Sequence, residues 1–204
     1  LDAGQLDYLR TIDTSAKSLL RIIDDILDMS KIEAGKLGIV QVDFDLREVL
    51  EDVLVLLAPR ARKKGLELTY SVSADMPPHL TGDPGRIKQV LTNLVSNAIK
   101  FTDQGGITFR VQKIVRQGND WEALPYINIP EQLPAGSYML VSVTDTGTGI
   151  SPEAQQALFE RFGQGMRDML TDKPSGTGLG LALSKEIISH HNGRIRSRAG
   201  RSAD

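Results

Sequence analysis

The first 33 residues form a long stretch with no proline and a single glycine, Gly4. Apolar side chains recur along it at steps of three and four: Leu6, Leu9, Ile12, Ala16, Leu20, Ile23 and Leu27. This spacing predicts one long amphipathic helix with an apolar stripe. Gly35 is placed to end it, because glycine readily adopts the left-handed conformation found at helix C-termini. The stripe has to be buried, so we expect it to pack against another helix, with a helix from outside this chain as one source.

After residue 40, helical and strand patterns alternate along the chain. Helices are predicted over about 46–64, 84–101, 152–162 and 178–190, and strands over 66–72, 107–111 and 139–143. Pro59 predicts a kink or break in the first of these helices, and Asp83 is a predicted N-cap for the second. The interleaving predicts an α/β two-layer sandwich that follows the N-terminal helix.

Two segments lack any clear periodicity. Residues 116–137 hold three of the nine prolines and the only tryptophan, and we interpret them as a long inserted loop. Residues 163–175 are polar and aperiodic, which predicts a mobile loop.

Composition excludes several classes of protein. Lys and Arg number 24 against 26 Asp and Glu, so the net charge of −2 provides no positive excess for binding nucleic acid. Cysteine is absent, which removes disulfides, thiolate catalysis and Cys-ligated zinc, and suits a reducing compartment. No run of about 18 apolar residues predicts a membrane span. The chain begins at Leu1 and not at Met, so we expect it to be a fragment.

A first polar cluster lies on the predicted helix over 84–101. At about 100° per residue, Asn93, Asn97 and Lys100 fall on one stripe beside an apolar face of Ile87, Leu91, Leu94 and Ala98. An amide oxygen can ligate a hard cation and an ammonium group can meet phosphate, so the stripe suits a phosphate chain with magnesium. A merely solvated helix face explains the same pattern equally well.

Two glycine-containing motifs follow. Asp145-Thr-Gly147-Thr-Gly149-Ile150 ends a predicted strand, where Asp145 either forms a turn or accepts a hydrogen bond from a ligand. Gly176-Thr177-Gly178-Leu179-Gly180 precedes the last predicted helix and favours a phosphate site at a helix N-terminus, with a hinge as the alternative. Its spacing fits neither the dinucleotide fingerprint nor the Walker A loop.

The four motifs in order, with Phe159-x-x-Phe162 as the third, resemble the N, G1, F and G2 boxes of sensor histidine kinases, in the GHKL superfamily that includes gyrase and Hsp90. The stretch Ile26-Leu-Asp-Met-Ser-Lys-Ile-Glu-Ala-Gly-Lys36 resembles the second helix of that family's dimerisation hairpin, particularly in hybrid kinases. The resemblance implies an α+β fold: a Bergerat ATP-binding sandwich, with a mixed sheet and helices on one face, after a long dimerisation helix. Residues 1–36 would form that helix and residues 37–204 the catalytic domain.

The resemblance also implies roles for individual residues. Asn97 would ligate Mg²⁺, Lys100 would contact the phosphates of ATP, Phe101 would lie against adenine, and Asp145 would accept a hydrogen bond from the adenine amino group. Asn93 and Lys100 are the implied catalytic residues. The nucleotide would further be bordered by Gly147, Gly149, Ile150, Gly176, Thr177, Gly178, Leu179 and Gly180. Residues 163–175 would form the ATP lid, anchored through packing by Phe159 and Phe162.

The residue at position 93 separates two reactions. Hydrolytic relatives carry a glutamate there, whereas Asn93 cannot act as a general base. Transfer to an imidazole needs no activated water, so a protein-histidine kinase is preferred over a GyrB- or Hsp90-like ATPase. A regulatory module that pairs with another histidine kinase is the other alternative.

The family's phosphoacceptor box is missing. None of the three histidines, His79, His190 and His191, lies in the first helix, so we expect the acceptor histidine to be outside this chain. The family's last strand is also missing after Ile195. The expected partners are ATP, a second subunit bound through residues 1–33, a response-regulator receiver domain and, under the regulatory alternative, another histidine kinase. Neither nucleic acid nor direct membrane contact is expected, and the expected location is cytoplasmic, with any inner-membrane anchor outside this chain.

Overall fold

The computed structural model describes residues 2–117, 120–121, 133–161 and 178–198. The chain divides into two compact units. The first is drawn from Leu1–Gln41, Gly85–Val90 and Ile150–Asp204, and the second from Val42–Pro84 and Leu91–Gly149.

The first helix, α1, spans Ala3–Glu33 and confirms the N-terminal prediction. A capping box begins it: the Asp2 carboxylate accepts from the Gln5 backbone N–H at 2.8 Å, and the Gln5 side chain accepts from the Asp2 N–H at 3.1 Å. Gly35 follows its end with φ +64°, the predicted left-handed conformation. The apolar stripe is exposed at Leu6, Leu9, Ile12, Leu20, Ile23 and Leu27.

A mixed sheet forms the second unit's first layer. Its central strand, β4 (Gly106–Gln117), pairs in parallel with β2 (Glu67–Val72) and antiparallel with β6 (Gly136–Asp145). Ile107, Phe109 and Val111 share one face of β4 and are each only 1 % exposed, so this face carries the core of the unit. The short strand β5 (Asp120–Trp121) pairs with the end of β4.

Two helices supply the apolar side chains of the other layer. Helix α2 spans Leu46–Lys63 and buries the predicted positions Val49, Leu50, Val53, Leu57 and Ala61. Helix α3 spans Pro84–Phe101, as predicted. Its buried residues include Val95, which is fully buried, whereas Leu94, a predicted core residue, is only half-buried. The sandwich of sheet and helices confirms the α+β fold class.

Two predictions about the second unit need correction, and one small sheet was not predicted. Helix α2 does not break at Pro59, because side chains on both sides of the proline, Leu57 and Ala61, are buried. A two-stranded sheet of β1 (Val42–Asp45) and β3 (His79–Gly82) was not predicted. The predicted loop 116–137 overlaps β4, β5 and β6, and its positions 118–119 and 122–132 lie outside the described residues.

The first unit contains two further helices. Helix α4 spans Pro152–Ala157 behind the N-cap Ser151, and so ends before the predicted boundary near Phe162. Helix α5 spans Gly180–His190, and Asn192 follows with φ 57°. Residues 193–198 form neither helix nor strand. No helix within the described ranges has the length and apolar character needed to cross a membrane.

Candidate functional site

Helix α3 carries the predicted polar stripe in its last three turns. Asn93, Asn97 and Lys100 are all half-buried, beside the fully buried Val95. Within the described part of the chain, the Asn97 side chain makes no hydrogen bond, so its amide oxygen is available to a ligand. An amide oxygen is a ligand that Mg²⁺ accepts, whereas no three His, Cys, Asp or Glu side chains in the described ranges form a metal site.

A cation and an aromatic ring end the helix together. The Lys100 ammonium group lies 4.7 Å from the centroid of the Phe101 ring, which is within the range of a cation–π contact. Phe101 is 40 % exposed, which is unusual for a phenylalanine next to a core. The pair therefore presents a positive charge and an aromatic surface that a nucleotide can use.

The loop after β6 folds back on the end of α3. Asp145, the last residue of β6, accepts a hydrogen bond from the Gly147 backbone N–H at 2.9 Å, which is the turn-forming role. The Thr148 N–H points at the Phe101 carbonyl oxygen, 3.4 Å away. A Cβ atom at Gly147 would lie 2.5 Å from that oxygen and 2.7 Å from Asp145 Oδ1, so only glycine fits here.

The two predicted glycines of this loop therefore serve different purposes. Gly147 allows two segments of the protein's own backbone to approach each other. Gly149 has φ +69° and open space around its Cβ position, so its backbone conformation is what favours glycine.

Thr146 joins the same loop to the start of β4. Its Oγ1 donates to the Gln104 carbonyl at 2.9 Å and accepts from the Gly106 N–H at 3.1 Å. Gly105, with φ +96°, leaves room for that hydroxyl, because a Cβ there would lie 2.3 Å from Oγ1. The loop is thus fixed at both Thr146 and Gly147.

The first unit holds the remaining predicted residues. Gly178 has φ +68°, Leu179 is 3 % exposed and Gly180 begins α5. Among the described residues no side chain caps the start of this helix, and the first N–H groups of a helix have no partner within it. Ile150 is exposed, and it is the first residue of the segment Ile150–Asp204 of this unit. Gly176, Thr177, Phe162 and the predicted lid 163–175 lie outside the described residues.

A network of polar side chains links α1 to the first turn of α3 within the first unit. Arg86 donates two hydrogen bonds to the Asp28 carboxylate, one of them from Nη2 at 2.9 Å, and Gln89 donates a third at 3.2 Å. Burial raises the pKa of Asp28, but the hydrogen bonds from Arg86 and Gln89, with the charges of Arg86 and Lys31, outweigh it and hold the pKa below its ordinary value. Arg161, next to Phe162, pairs similarly with Glu33.

Sequence reasoning missed two residues at the end of α3. Lys64 donates to three backbone carbonyls there, and Thr102 is fully buried. Neither belongs to a periodic pattern, although the Lys-Gly step at the end of α2 is a recognisable helix-stop signal.

Family models match two parts of the chain. The model for histidine kinase-, DNA gyrase B- and HSP90-like ATPases matches residues 82–203, and the model for the His Kinase A (phospho-acceptor) domain matches residues 1–35. The chain therefore belongs to the histidine kinase-, gyrase B- and HSP90-like ATPase family.

The individual relatives that the chain resembles are sensor histidine kinases. The chain is 47 % identical over 195 residues to the sensor histidine kinase GacS of Pseudomonas protegens and 40 % identical to the histidine-protein kinase BarA of Escherichia coli K12. Each alignment covers 96 % of this chain and 19 % of the relative, so the chain spans about a fifth of these relatives' length.

Solved structures share the fold. Full-length ShkA, in complex with AMPPNP, matches 98 % of this chain and 38 % of its own with a TM-score of 0.69 at 28 % identity. The catalytic domain of the histidine kinase ThkA matches 74 % of this chain and 83 % of its own with a TM-score of 0.52 at 27 % identity.

Proposed function

We propose that this chain is the ATP-binding catalytic region of a sensor histidine kinase, which transfers the γ-phosphate of ATP to a histidine on the dimerisation hairpin. The observation that carries the proposal is the joint occurrence of a hairpin match over 1–35 and an ATPase-domain match over 82–203 that contains all four ordered boxes. ShkA, a structural relative, was crystallised with an ATP analogue.

The base of ATP would be recognised in the second unit. Asp145 would accept a hydrogen bond from the adenine amino group, and its oxygen Oδ2 is not used in the turn with Gly147. The exposed ring of Phe101 would lie against the base. Gly149 and Ile150 would border the base and sugar.

The phosphates would be held by backbone N–H groups and by the Lys100 side chain of α3. The segment Gly176-Thr177-Gly178-Leu179-Gly180 would offer N–H groups at the positive end of α5. Lys100 would neutralise phosphate charge. Residues 163–175, which carry Arg167 and Lys173, would close over the nucleotide as the lid.

Asn97 would bind the magnesium ion that accompanies ATP. Its amide is half-buried and makes no hydrogen bond to the residues that the structure describes, which fits a hard cation that keeps most of its water ligands. When bound, Mg²⁺ neutralises phosphate charge during phosphoryl transfer. Asn93, one turn away on the same stripe, is the position that separates transfer from hydrolysis, because an amide cannot activate water.

The acceptor and the partners come from outside the described site. Residues 1–35 contain no histidine, and His191 is engaged by its own helix, with Nδ1 2.8 Å from the Ile187 carbonyl oxygen. The exposed stripe of α1 would be covered in a homodimer. A receiver-domain aspartate would take the phosphoryl group next; ThkA, at 23 % identity, was crystallised with the response regulator TrrA. The proposed location is cytoplasmic.

Calorimetric titration with MgATP tests nucleotide binding directly. We expect the chain to bind, and Asp145→Asn to bind ~10-fold or more weakly, because the adenine amino group loses a charged acceptor. Asp75→Asn is the matched control, since Asp75 is exposed and makes no hydrogen bond in the described part of the chain. Absence of binding by the unmodified chain would refute the proposal.

Phosphotransfer is tested by incubating the chain with MgATP and a separate hairpin that carries the acceptor histidine. The expected product is acid-labile phosphate on that hairpin. Tight binding without transfer would instead support a regulatory module that pairs with another kinase, which the exposed stripe of α1 also suits. Release of inorganic phosphate by the unmodified chain, at a rate that Asn93→Glu does not exceed, would support the ATPase alternative.

A further inference from the structure

The residue that ends α2 reaches the end of α3. Lys64 is the C-cap of α2, and its Nζ donates to the carbonyl oxygens of Ile99, Lys100 and Thr102 at 2.9, 3.1 and 2.9 Å. An ammonium group has three donors, so all three are used on backbone. The Asp103 carboxylate lies 3.7 Å from the same nitrogen.

With these bonds, each of the last four carbonyl oxygens of α3 has a hydrogen-bond donor. The last four carbonyls of a helix have no partner within it. Here the Ala98 oxygen accepts from the Thr102 N–H and hydroxyl at 3.1 and 2.8 Å, and the Phe101 oxygen is the one approached by Thr148. Ile99 and Lys100 are left, and both oxygens accept from Lys64. A cation at this position also complements the negative end of the helix.

The backbone that Lys64 holds carries the groups proposed to meet the nucleotide. Lys64 donates to the carbonyls of Lys100 and Thr102, which are the residues on either side of Phe101 in sequence. The Phe101 carbonyl is in turn the contact that limits position 147 to glycine. A shift of this last turn would therefore move the ammonium, the ring and the loop that begins at Asp145 together.

We propose that Lys64 is a positioning residue for nucleotide binding, which acts through the backbone of residues 99–102 and does not touch ATP. The inference rests on the proposed function. A residue that only stabilised the fold would lower the free energy of unfolding and leave the affinity of the folded protein unchanged. Substitution of a positioning residue weakens binding even when the protein is fully folded, because the binding groups lose their fixed geometry.

The test compares MgATP dissociation constants by calorimetry at a temperature where circular dichroism shows each variant to be folded. Lys64→Met keeps most of the side-chain stem and removes the charge and the donors, so we expect ~10-fold weaker binding. Lys64→Arg retains charge and donors and should recover part of that loss. Lys63→Met alters the exposed neighbouring lysine and should bind as the unmodified chain does.

A second control separates positioning from stability. Val53→Ala removes buried methyl groups from α2 without altering a donor at the end of α3, and should reduce stability while leaving affinity unchanged. Equal binding by Lys64→Met and Lys63→Met, or an equal loss in Val53→Ala, would overturn the inference alone. Failure of the unmodified chain to bind would overturn the proposed function as well. If Lys64→Met does not fold, Lys64→Gln, which keeps an amide donor, takes its place.

Discussion

Helix α3 is held by a cation near each end, and the two contacts differ in their acceptors. Near its start, Arg86 meets the carboxylate of Asp28, a side chain of α1. At its end, Lys64 meets backbone carbonyls of the helix and the residue that follows it. The Asp28 carboxylate titrates, whereas the carbonyl acceptors of Lys64 do not. Protonation of Asp28 can therefore weaken the first contact, and acid leaves the carbonyl acceptors of the second unchanged.

The surroundings reinforce this difference. Asp28 is buried, so the loss of Arg86 would leave a charge with little water around it. The Lys64 side chain is 38 % exposed, so water can partly replace it at the carbonyls it leaves. We therefore expect the Asp28 contact to affect stability more, and the Lys64 contact to affect the geometry of the nucleotide site more.

The substitution expected to disrupt the end of α3 most is the addition of a methyl group at Gly147. Its Cβ would collide with the Phe101 carbonyl and with Asp145, and both are fixed by the surrounding backbone. Gly147→Ala is expected to lower the free energy of unfolding by about 3 kcal/mol and to abolish measurable MgATP binding. Urea denaturation and calorimetry measure the two effects.

Gly38→Ala is the control for that substitution. Gly38 has open space around its Cβ position and no left-handed backbone conformation, so alanine should fit there without loss. If Gly147→Ala bound MgATP as well as Gly38→Ala does, the contact between the loop and the end of α3 would have no part in the nucleotide site.

The contact near the start of α3 is broken by Arg86→Met. Of the hydrogen bonds to Asp28 among the described residues, the one from Gln89 is left, so we expect a loss of about 2 kcal/mol in the free energy of unfolding. Adding Asp28→Leu should restore part of this loss, because the double variant no longer buries an unpaired charge. Urea denaturation of the two single variants and the double variant gives the coupling, and strictly additive losses would contradict a direct pair.

Periodic elements could be predicted from the sequence because their signal is local. The buried side of α2 repeats every three or four residues, and β4 alternates at Ile107, Phe109 and Val111. The pairing of β1 with β3 could not be predicted in the same way. These strands have four residues each, include Asp43 and His79, and pair across more than 30 positions, so neither has a local signature.

The sequence allowed us to predict which residues belong to the candidate site, but not which contacts require those residues. Glycine at 147 was expected to make room for a nucleotide, and the structure shows that it makes room for the Phe101 carbonyl. Lys64 was not singled out, because a lysine at a helix end has no sequence signal that names the carbonyls it will meet. Both cases depend on contacts between segments about 35 or more residues apart, which periodicity does not report.

The smallest expected effect is the acid dependence of the Asp28 contact. The pKa of Asp28 in the folded protein lies below its ordinary value of 3.8, so the contact stabilises the fold above that value. The stabilisation is lost as pH falls through the lower pKa of the folded state, because the carboxyl must then be protonated. The loss should be smaller than that of Arg86→Met, since a protonated carboxyl still has an oxygen that accepts from Arg86.

Urea denaturation of the unmodified chain, Asp28→Asn and Lys64→Met between pH 7 and the acid limit measures this dependence. Asp28→Asn should flatten the acid decline, because the asparagine has no proton to bind. Lys64→Met should keep most of the decline of the unmodified chain, because the carbonyl acceptors of Lys64 do not titrate and the Asp103 carboxylate, 3.7 Å from its Nζ, is exposed to water. If both variants flattened the acid decline equally, the contacts of Arg86 and Lys64 would not differ in their dependence on pH, contrary to the difference in their acceptors.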